Sequence, residues 1–267
     1  MKIAALQMVS TPRVEDNLDT ARRLIGFAAR DGAELVALPE YFCLMGRADR
    51  DKLAIAEAPG EGPIQRMLSD AAREHRVWLI GGTLPIRSAD PDRVLNSNCV
   101  YAPDGSLAAR YDKIHLFRYD NGRERYDEGC AILAGDTPIA FQAGPVRVGL
   151  SVCYDLRFPE LYRELMRPPC ELISVPAAFT YTTGLAHWEL LLRARAVENQ
   201  CYVIAAAQGG THENGRRTFG HSMIVDPWGQ VVAVQDEGEG VVLAELDPER
   251  IASVRTQLPA LEHRIRA

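Results

Sequence analysis

In the run VRVGLSVC, Val146, Val148, Leu150 and Val152 recur at every second position, and β-branched residues dominate them, which predicts a buried strand. Directly afterwards Leu161, Leu165 and Met166 fall at helical spacing. They predict a helix over Phe158 to Met166 with Pro159 in its first turn, where the missing N–H leaves no bond unmade. The same change of period runs through the chain. KIAALQM, ELVALP and VWLIGGTLPI read as strands, and they alternate with helices over Asn17 to Ala29 and Ile64 to Glu74. NSNCVYA and SLAARYD read as an antiparallel pair joined by the turn Pro103, Asp104, Gly105. Farther on, ELISVPAAF, CYVIAAAQ, HSMIVDP and VVLAELD predict strands, with a helix over Ala186 to Asn199 and a turn at Trp228 and Gly229. This alternation defines an α/β class. No linker divides it, so one domain spanning residues 1–267 is expected.

Two segments stand out from the rhythm. Lys113 to Asp136 has no clean period and is rich in Arg, Asp, Glu and Gly, which predicts a long irregular loop of the kind that carries function in compact domains. The Ala186 to Asn199 helix has apolar residues around much of its circumference, with Arg193 and Arg195 between them. It is predicted to be covered on more than one side, by a second subunit or by another layer of the same chain.

Composition narrows the function classes. With 47% hydrophobic and 25% charged residues the chain is that of a soluble globular protein, and no 18-residue apolar stretch is present to span a membrane. The N-terminus turns polar too soon for a secretory signal, so a cytoplasmic location is expected. A net charge of −6 gives no basic footprint for nucleic acid. The six cysteines are scattered without a CxxC pair, which predicts reduced thiols, and the six histidines show no zinc spacing, so no metal and no cofactor is expected.

The chemistry then centres on Cys153, at the strand-to-helix break where α/β sheets gather ligands and where helix N–H groups lower a thiol pKa. Taken alone, the segment suits a packed core cysteine better. The GxSxG elbow begins at Gly149 and Ser151 but breaks at Cys153, and neither a phosphate loop nor a dinucleotide fingerprint is present. A nucleophilic thiol needs a base or a charged partner. Glu40 follows the buried run LVALP, Lys113 follows the second strand of the predicted pair, and Glu128 lies in the irregular loop. Local sequence alone favours a turn acid, a surface lysine and a loop charge. His115 and His187 offer a competing Cys-His arrangement, without the local signature of papain-like proteases.

Together LPEYF, YDKIHLF and CYDLRFPE, in this order and spacing, resemble the nitrilase or carbon-nitrogen hydrolase superfamily, and the likeness runs from IAALQM through GHSMIVDPWGQV toward the C-terminus. The resemblance implies a four-layer α-β-β-α sandwich and a homodimer or higher homo-oligomer, with a dimer interface near the helices that follow the cysteine. It makes Cys153 the nucleophile, Glu40 the general base and Lys113 the cation facing the tetrahedral intermediate. Glu128, in RERYDEG, matches the family's second glutamate. The run from PAAFTYTTGLAHW to GHSMIVDPWG is similar to the Nit amidase branch, which implies hydrolysis of a small linear amide, deaminated glutathione, to 2-oxoglutarate and cysteinylglycine. An ω-amidase acting on 2-oxoglutaramate, an N-carbamoyl amidase, and a non-catalytic scaffold keeping the fold are the alternatives. Arg157, nearest the elbow, is the candidate anchor for a substrate carboxylate. Tyr41, Phe42, Tyr154, Phe179 and Thr180 are the candidate pocket residues.

Overall fold

Alternate residues of the strand Lys2–Gln7 enter two different cores, and that alternation explains the layering. Ile3 and Ala5 join one buried cluster, Ala4 and Leu6 the other. Leu35 and Ala37 of the neighbouring strand divide from Val36 in the same way. One cluster lies beneath the helices Val14–Arg30 and Pro63–His75, which pack side by side, while the other fills the space between two sheets. The computed structural model describes residues 1–265; the last two residues of the expected 1–267 span lie outside them.

The first sheet runs Gly240–Glu245, Lys2–Gln7, Leu35–Ala37, Trp78–Ile80, Val94–Tyr101 and Leu84–Arg87, with Leu107–Asp112 and Ile132–Leu133 also paired to Val94–Tyr101. The second runs Ala140–Ala143, Val146–Leu150, Leu172–Ser174, Tyr202–Ala205, Ser222–Val225 and Val231–Gln235. Helices Pro159–Leu165 and Tyr181–Asn199 pack on that second sheet and on each other. The α/β fold is thus a four-layer sandwich with parallel strands at the centre of each sheet: Lys2–Gln7, Leu35–Ala37 and Trp78–Ile80 in one, Val146–Leu150, Leu172–Ser174 and Tyr202–Ala205 in the other. No described helix is long and apolar enough to cross a membrane.

Several expectations shift in detail. VWLIGGTLPI is not one strand: it breaks at Gly81 and Gly82, the latter at φ +59°, into Trp78–Ile80 and Leu84–Arg87. The segment from Lys113 to Asp136 is less irregular than its composition suggests. Asn121 and Gly122 turn a short hairpin, Arg118–Asp120 against Arg125–Asp127, in which Tyr119 sits opposite Tyr126. The long helix begins at Tyr181, five residues before the expected Ala186, because the Thr180 hydroxyl accepts from the Thr183 N–H and caps it. The strands Ala140–Ala143 and Val231–Gln235, the pair Gly209–Thr211 and Arg217–Phe219, and the helix Pro248–Gln257 carry too little periodicity to have been foreseen.

Candidate active site

The carboxyl ends of two central parallel strands, one in each sheet, meet at the same place. Past Leu35–Ala37 the chain delivers Glu40, and past Val146–Leu150 it delivers Cys153 at the head of a tight 3-10 turn, Cys153–Arg157. Lys113 follows Leu107–Asp112. Glu128 opens a single 3-10 turn after the small hairpin. Glu40 is 1% exposed, Lys113 0% and Cys153 7%, so the surface roles that local sequence allowed for the first two do not hold.

Lys113 is the hub. Its Nζ donates to Glu40 Oε1 at 2.9 Å and to Glu128 Oε2 at 2.8 Å. Glu40 is held further by Asn96 Nδ2 at 3.0 Å and by the Ala178 N–H at 3.0 Å. Glu128 accepts from the Tyr41 hydroxyl at 2.6 Å and from the Phe117 N–H at 2.7 Å. Two carboxylates and one ammonium out of water demand this many partners, because an unpaired buried charge is strongly destabilising.

The two glutamates are pushed apart electrostatically although they share a lysine. Burial raises the Glu40 carboxyl, and the attraction of Lys113 does not fully offset it, while the charge of Glu128 adds to the rise. Burial would raise Glu128 as well, but the Lys113 charge and the hydrogen bonds from Lys113, Phe117 and Tyr41 hold it below its ordinary value. Burial would strip Lys113 of its proton; Glu128 and Glu40 outweigh that and hold it well above the usual lysine value. Burial pushes the Cys153 thiol well up, Glu40 pushes the same way, and Lys113 opposes them. The resting sulfur is therefore a thiol beside a carboxylate of raised basicity, an arrangement that supports base-assisted attack.

The turn that presents Cys153 is clamped by Asp155, which is fully buried. Its Oδ2 accepts from the Val152 N–H at 2.8 Å and the Tyr111 hydroxyl at 2.7 Å, and its Oδ1 from the His115 N–H at 3.0 Å and the His115 ring at 2.7 Å. His115 also stacks on Phe158 with centroids 3.7 Å apart. Its ring is thus occupied as a brace, and His187 contacts Arg157 at 3.2 Å, so neither histidine takes the partner's place in a Cys-His pair. Asp155, Tyr111 and Asn96 were not singled out from sequence. The available signals were Asp155 inside the cysteine motif and the run Asn96, Ser97, Asn98, three buried polar residues within one strand.

Phe117, Cys153, Tyr154, Arg157, Phe179 and Thr180 line a narrow cleft with about 10 Å³ of free interior. Arg157 spreads over the rings of Tyr154 and Phe179. Tyr41 lines a second narrow cleft, with about 20 Å³ of free interior, together with Lys52 and Arg216. Phe42 does not reach either one. It is fully buried in the cluster beneath the outer helices, where the turn after Pro39 points its ring, and it serves as core.

A buried cysteine, glutamate and lysine thus meet at facing strand ends of a four-layer sandwich. The carbon-nitrogen hydrolase family matches residues 2–256, and the chain belongs to it; the protein is an enzyme acting on amides. Within that family it is 43% identical over 266 residues to a deaminated glutathione amidase of Synechocystis, covering 98% of this chain and 97% of the relative. Nit3 of Saccharomyces cerevisiae, a member of branch 10 of the nitrilase superfamily, superposes with a TM-score of 0.90 at 31% identity, over 100% of this chain and 97% of that one. An amidase from Nesterenkonia sp. AN1, in a Glu-to-Gln mutant that carries acrylamide added at the active-site cysteine, aligns with a TM-score of 0.81 at 26% identity, covering 97% of this chain and 98% of that one.

Proposed function

We propose that this enzyme is a thiol amidase whose substrate is deaminated glutathione, cleaved to 2-oxoglutarate and cysteinylglycine. The observation that carries the mechanism is Lys113, fixed by Glu40 at 2.9 Å and Glu128 at 2.8 Å and acting electrostatically on the Cys153 thiol. Glu40 takes the thiol proton as sulfur attacks the amide carbonyl. The oxyanion is met by Lys113 and by the Tyr154 N–H, which has no protein acceptor among the described residues. Collapse expels the amine, which takes the proton from Glu40, and leaves a thioester. Water, deprotonated by Glu40, opens the thioester and regenerates the thiol. Glu128 holds Lys113 in place through the cycle. The relative of known name and Arg157, free of any carboxylate among the described residues, support a carboxylate-bearing acyl group.

The test is hydrolysis of deaminated glutathione and of 2-oxoglutaramate by the purified protein, following cysteinylglycine, ammonia and 2-oxoglutarate, beside a Cys153→Ala control. Ammonia as the dominant product would replace this substrate by 2-oxoglutaramate. Equal turnover in the control would end the thiol mechanism.

We also read the protein as a homodimer. Leu185 and Leu190 on the Tyr181–Asn199 helix are 68% and 67% exposed, and Trp228 is 54% exposed on a turn joined to that helix by Arg193 Nε donating to the Gly229 carbonyl at 2.8 Å. Large apolar side chains left exposed on one helix and the turn beside it support a partner subunit on this side of the molecule. Sedimentation should give a dimer that Leu190→Glu weakens; a monomer at micromolar concentration in the parent protein would remove the proposal.

A further inference from the structure

The cavity on the far side of Tyr41 holds two cations that the proposed mechanism does not use. Lys52 and Arg216 both line it, and neither has a carboxylate within ion-pair distance among the described residues. The chain carries a net charge of −6, and many of its other arginines do pair with carboxylates. Both instead lie over aromatic faces, Lys52 Nζ 5.1 Å from the Tyr41 ring centre and the Arg216 guanidinium 4.9 Å from that of Tyr126. Asp49 lines the same cavity but pairs with neither. Two like charges facing one space repel each other, and an anion entering between them relieves that repulsion.

The cavity is also held in shape by contacts of its own lining residues. Asp51 Oδ2 accepts from the Arg47 N–H at 2.8 Å and the Ala48 N–H at 3.0 Å, fixing the start of the short helix Asp51–Ala54 that carries Lys52. On the opposite wall the Arg216 N–H donates to Asn214 Oδ1 at 2.9 Å, and Asn214 Nδ2 donates to the Gly46 carbonyl at 2.6 Å. The two cations therefore sit on segments tied to each other. Their link to the chemistry is short: Tyr41, under Lys52, donates to Glu128, and Glu128 holds Lys113.

We propose that Lys52 and Arg216 form the subsite for the terminal carboxylate of the departing amine, the dipeptide end of the substrate. The assignment of sides follows from the covalent step. The acyl group stays bonded to Cys153 sulfur and must lie in the cavity that Cys153 itself lines, with Arg157 as its anchor. The amine is the part that leaves, and the cavity lined by Tyr41, Lys52 and Arg216 is joined to Lys113 through the Tyr41 hydroxyl on Glu128. This inference rests on the proposed substrate class and extends it: an enzyme with a cationic site on each side of the scissile bond prefers an amide carrying a carboxylate at both ends over one whose leaving group is ammonia.

The experiment pairs a change on the ligand with a change on the protein. Deaminated glutathione and its C-terminal glycinamide analogue are compared with the parent enzyme, Lys52→Met and Arg216→Gln. The parent should prefer the acid in kcat/KM by about ten- to a hundredfold, carried by KM, and each variant should collapse most of that preference. Loss of rate on acid and amide in equal proportion would mean that the cations only compensate the buried glutamates, and would overturn the subsite. If the parent enzyme turns over neither compound, the substrate reading fails by itself. The subsite is then decided by calorimetry of cysteinylglycine and cysteinylglycinamide on the Cys153→Ala protein with and without the Lys52 and Arg216 substitutions. A carboxylate-dependent affinity that the substitutions remove upholds it, and equal or absent binding overturns it.

Discussion

Glu40 and Cys153 stand past the ends of equivalent parallel strands in facing sheets, and each junction includes a residue with positive φ, Tyr41 at 55° and Cys153 at 51°. They are braced by different means. The glutamate junction relies on close backbone approach: Gly82 lies so near that a Cβ built on it would be 2.1 Å from the Pro39 carbonyl oxygen, and the Tyr41 N–H donates to Thr83 Oγ1 at 2.9 Å. At the cysteine junction the brace is a buried side chain, Asp155, which gathers two backbone N–H groups, a phenol and an imidazole. The backbone at the base is thus shaped chiefly by close approach and that at the nucleophile by one buried carboxylate, while the Glu40 carboxylate itself is held by Lys113, Asn96 and the Ala178 N–H. Packing fails through volume, whereas a network fails through loss of an acceptor.

The largest effect should come from removing the reacting groups themselves, one from each junction. Cys153→Ala should take turnover to background. Glu40→Gln should lower kcat by about 10²- to 10⁴-fold, the usual contribution of a positioned base. The two differ in a second readout: the Glu40 variant keeps its thiol, so iodoacetamide should still label Cys153, more slowly than in the parent. Labelling at the parental rate would show that Glu40 does not act on the sulfur.

Next comes Gly82→Ala, aimed at the packed junction. A left-handed conformation costs a non-glycine residue about 1–2 kcal/mol, and overpacking adds about 1–3 kcal/mol more. The clash is with backbone, which cannot rotate away. The urea midpoint should drop accordingly, and activity should fall with it. An unchanged midpoint would show that Pro39 and Gly82 are not in contact as described.

Asp155→Asn attacks the other brace, with a stability change of comparable size and a smaller effect on turnover. An amide nitrogen replaces one oxygen and faces two donors, so two accepted hydrogen bonds are lost, at about 1.5–3 kcal/mol where a charged group is involved. Because the network aims Cys153 and binds no substrate, kcat should fall while KM holds. A rise in KM with kcat intact would give Asp155 a binding role instead.

This contrast also explains what was readable in advance. The strand ends were legible because Val146, Val148 and Leu150, and the run before Glu40, carry clear apolar patterns. Three separated motifs then pointed to Glu40, Lys113 and Cys153. The braces were not legible. Asp155 looks like any turn acid until Tyr111 and His115, some forty residues earlier, fold against it, and Gly82 sits in what reads as a continuous strand. Phe42 is a pocket candidate because it follows a predicted strand, yet beyond the positive φ at Tyr41 its ring is buried in the core. Lys52 and Arg216 carried no motif at all, since their meeting depends on loops joined through Asn214 and Gly46.

The finest test separates the two glutamates on Lys113, whose titrations belong to the pair rather than to either residue alone. Glu40 is raised above the ordinary glutamate value of 4.5, so the folded protein keeps a proton there that the unfolded chain has released. Its contribution to stability is present below the unfolded value and fades as pH rises through the folded one. Glu128 is lowered, so its contribution is present above 4.5 and is lost as pH falls through its folded value. For activity only the Glu40 limb matters directly: kcat/KM should decline on the acid side at a pH above the ordinary carboxylate range, as the base becomes protonated. Glu128→Gln removes a negative charge that helps to raise Glu40 and leaves Lys113 to pair with Glu40 alone. The acid limb should therefore move to lower pH in that variant, even as the overall rate drops because Lys113 loses a tether. A limb that stays in place or moves upward would mean that the raised carboxyl governing the profile is not Glu40.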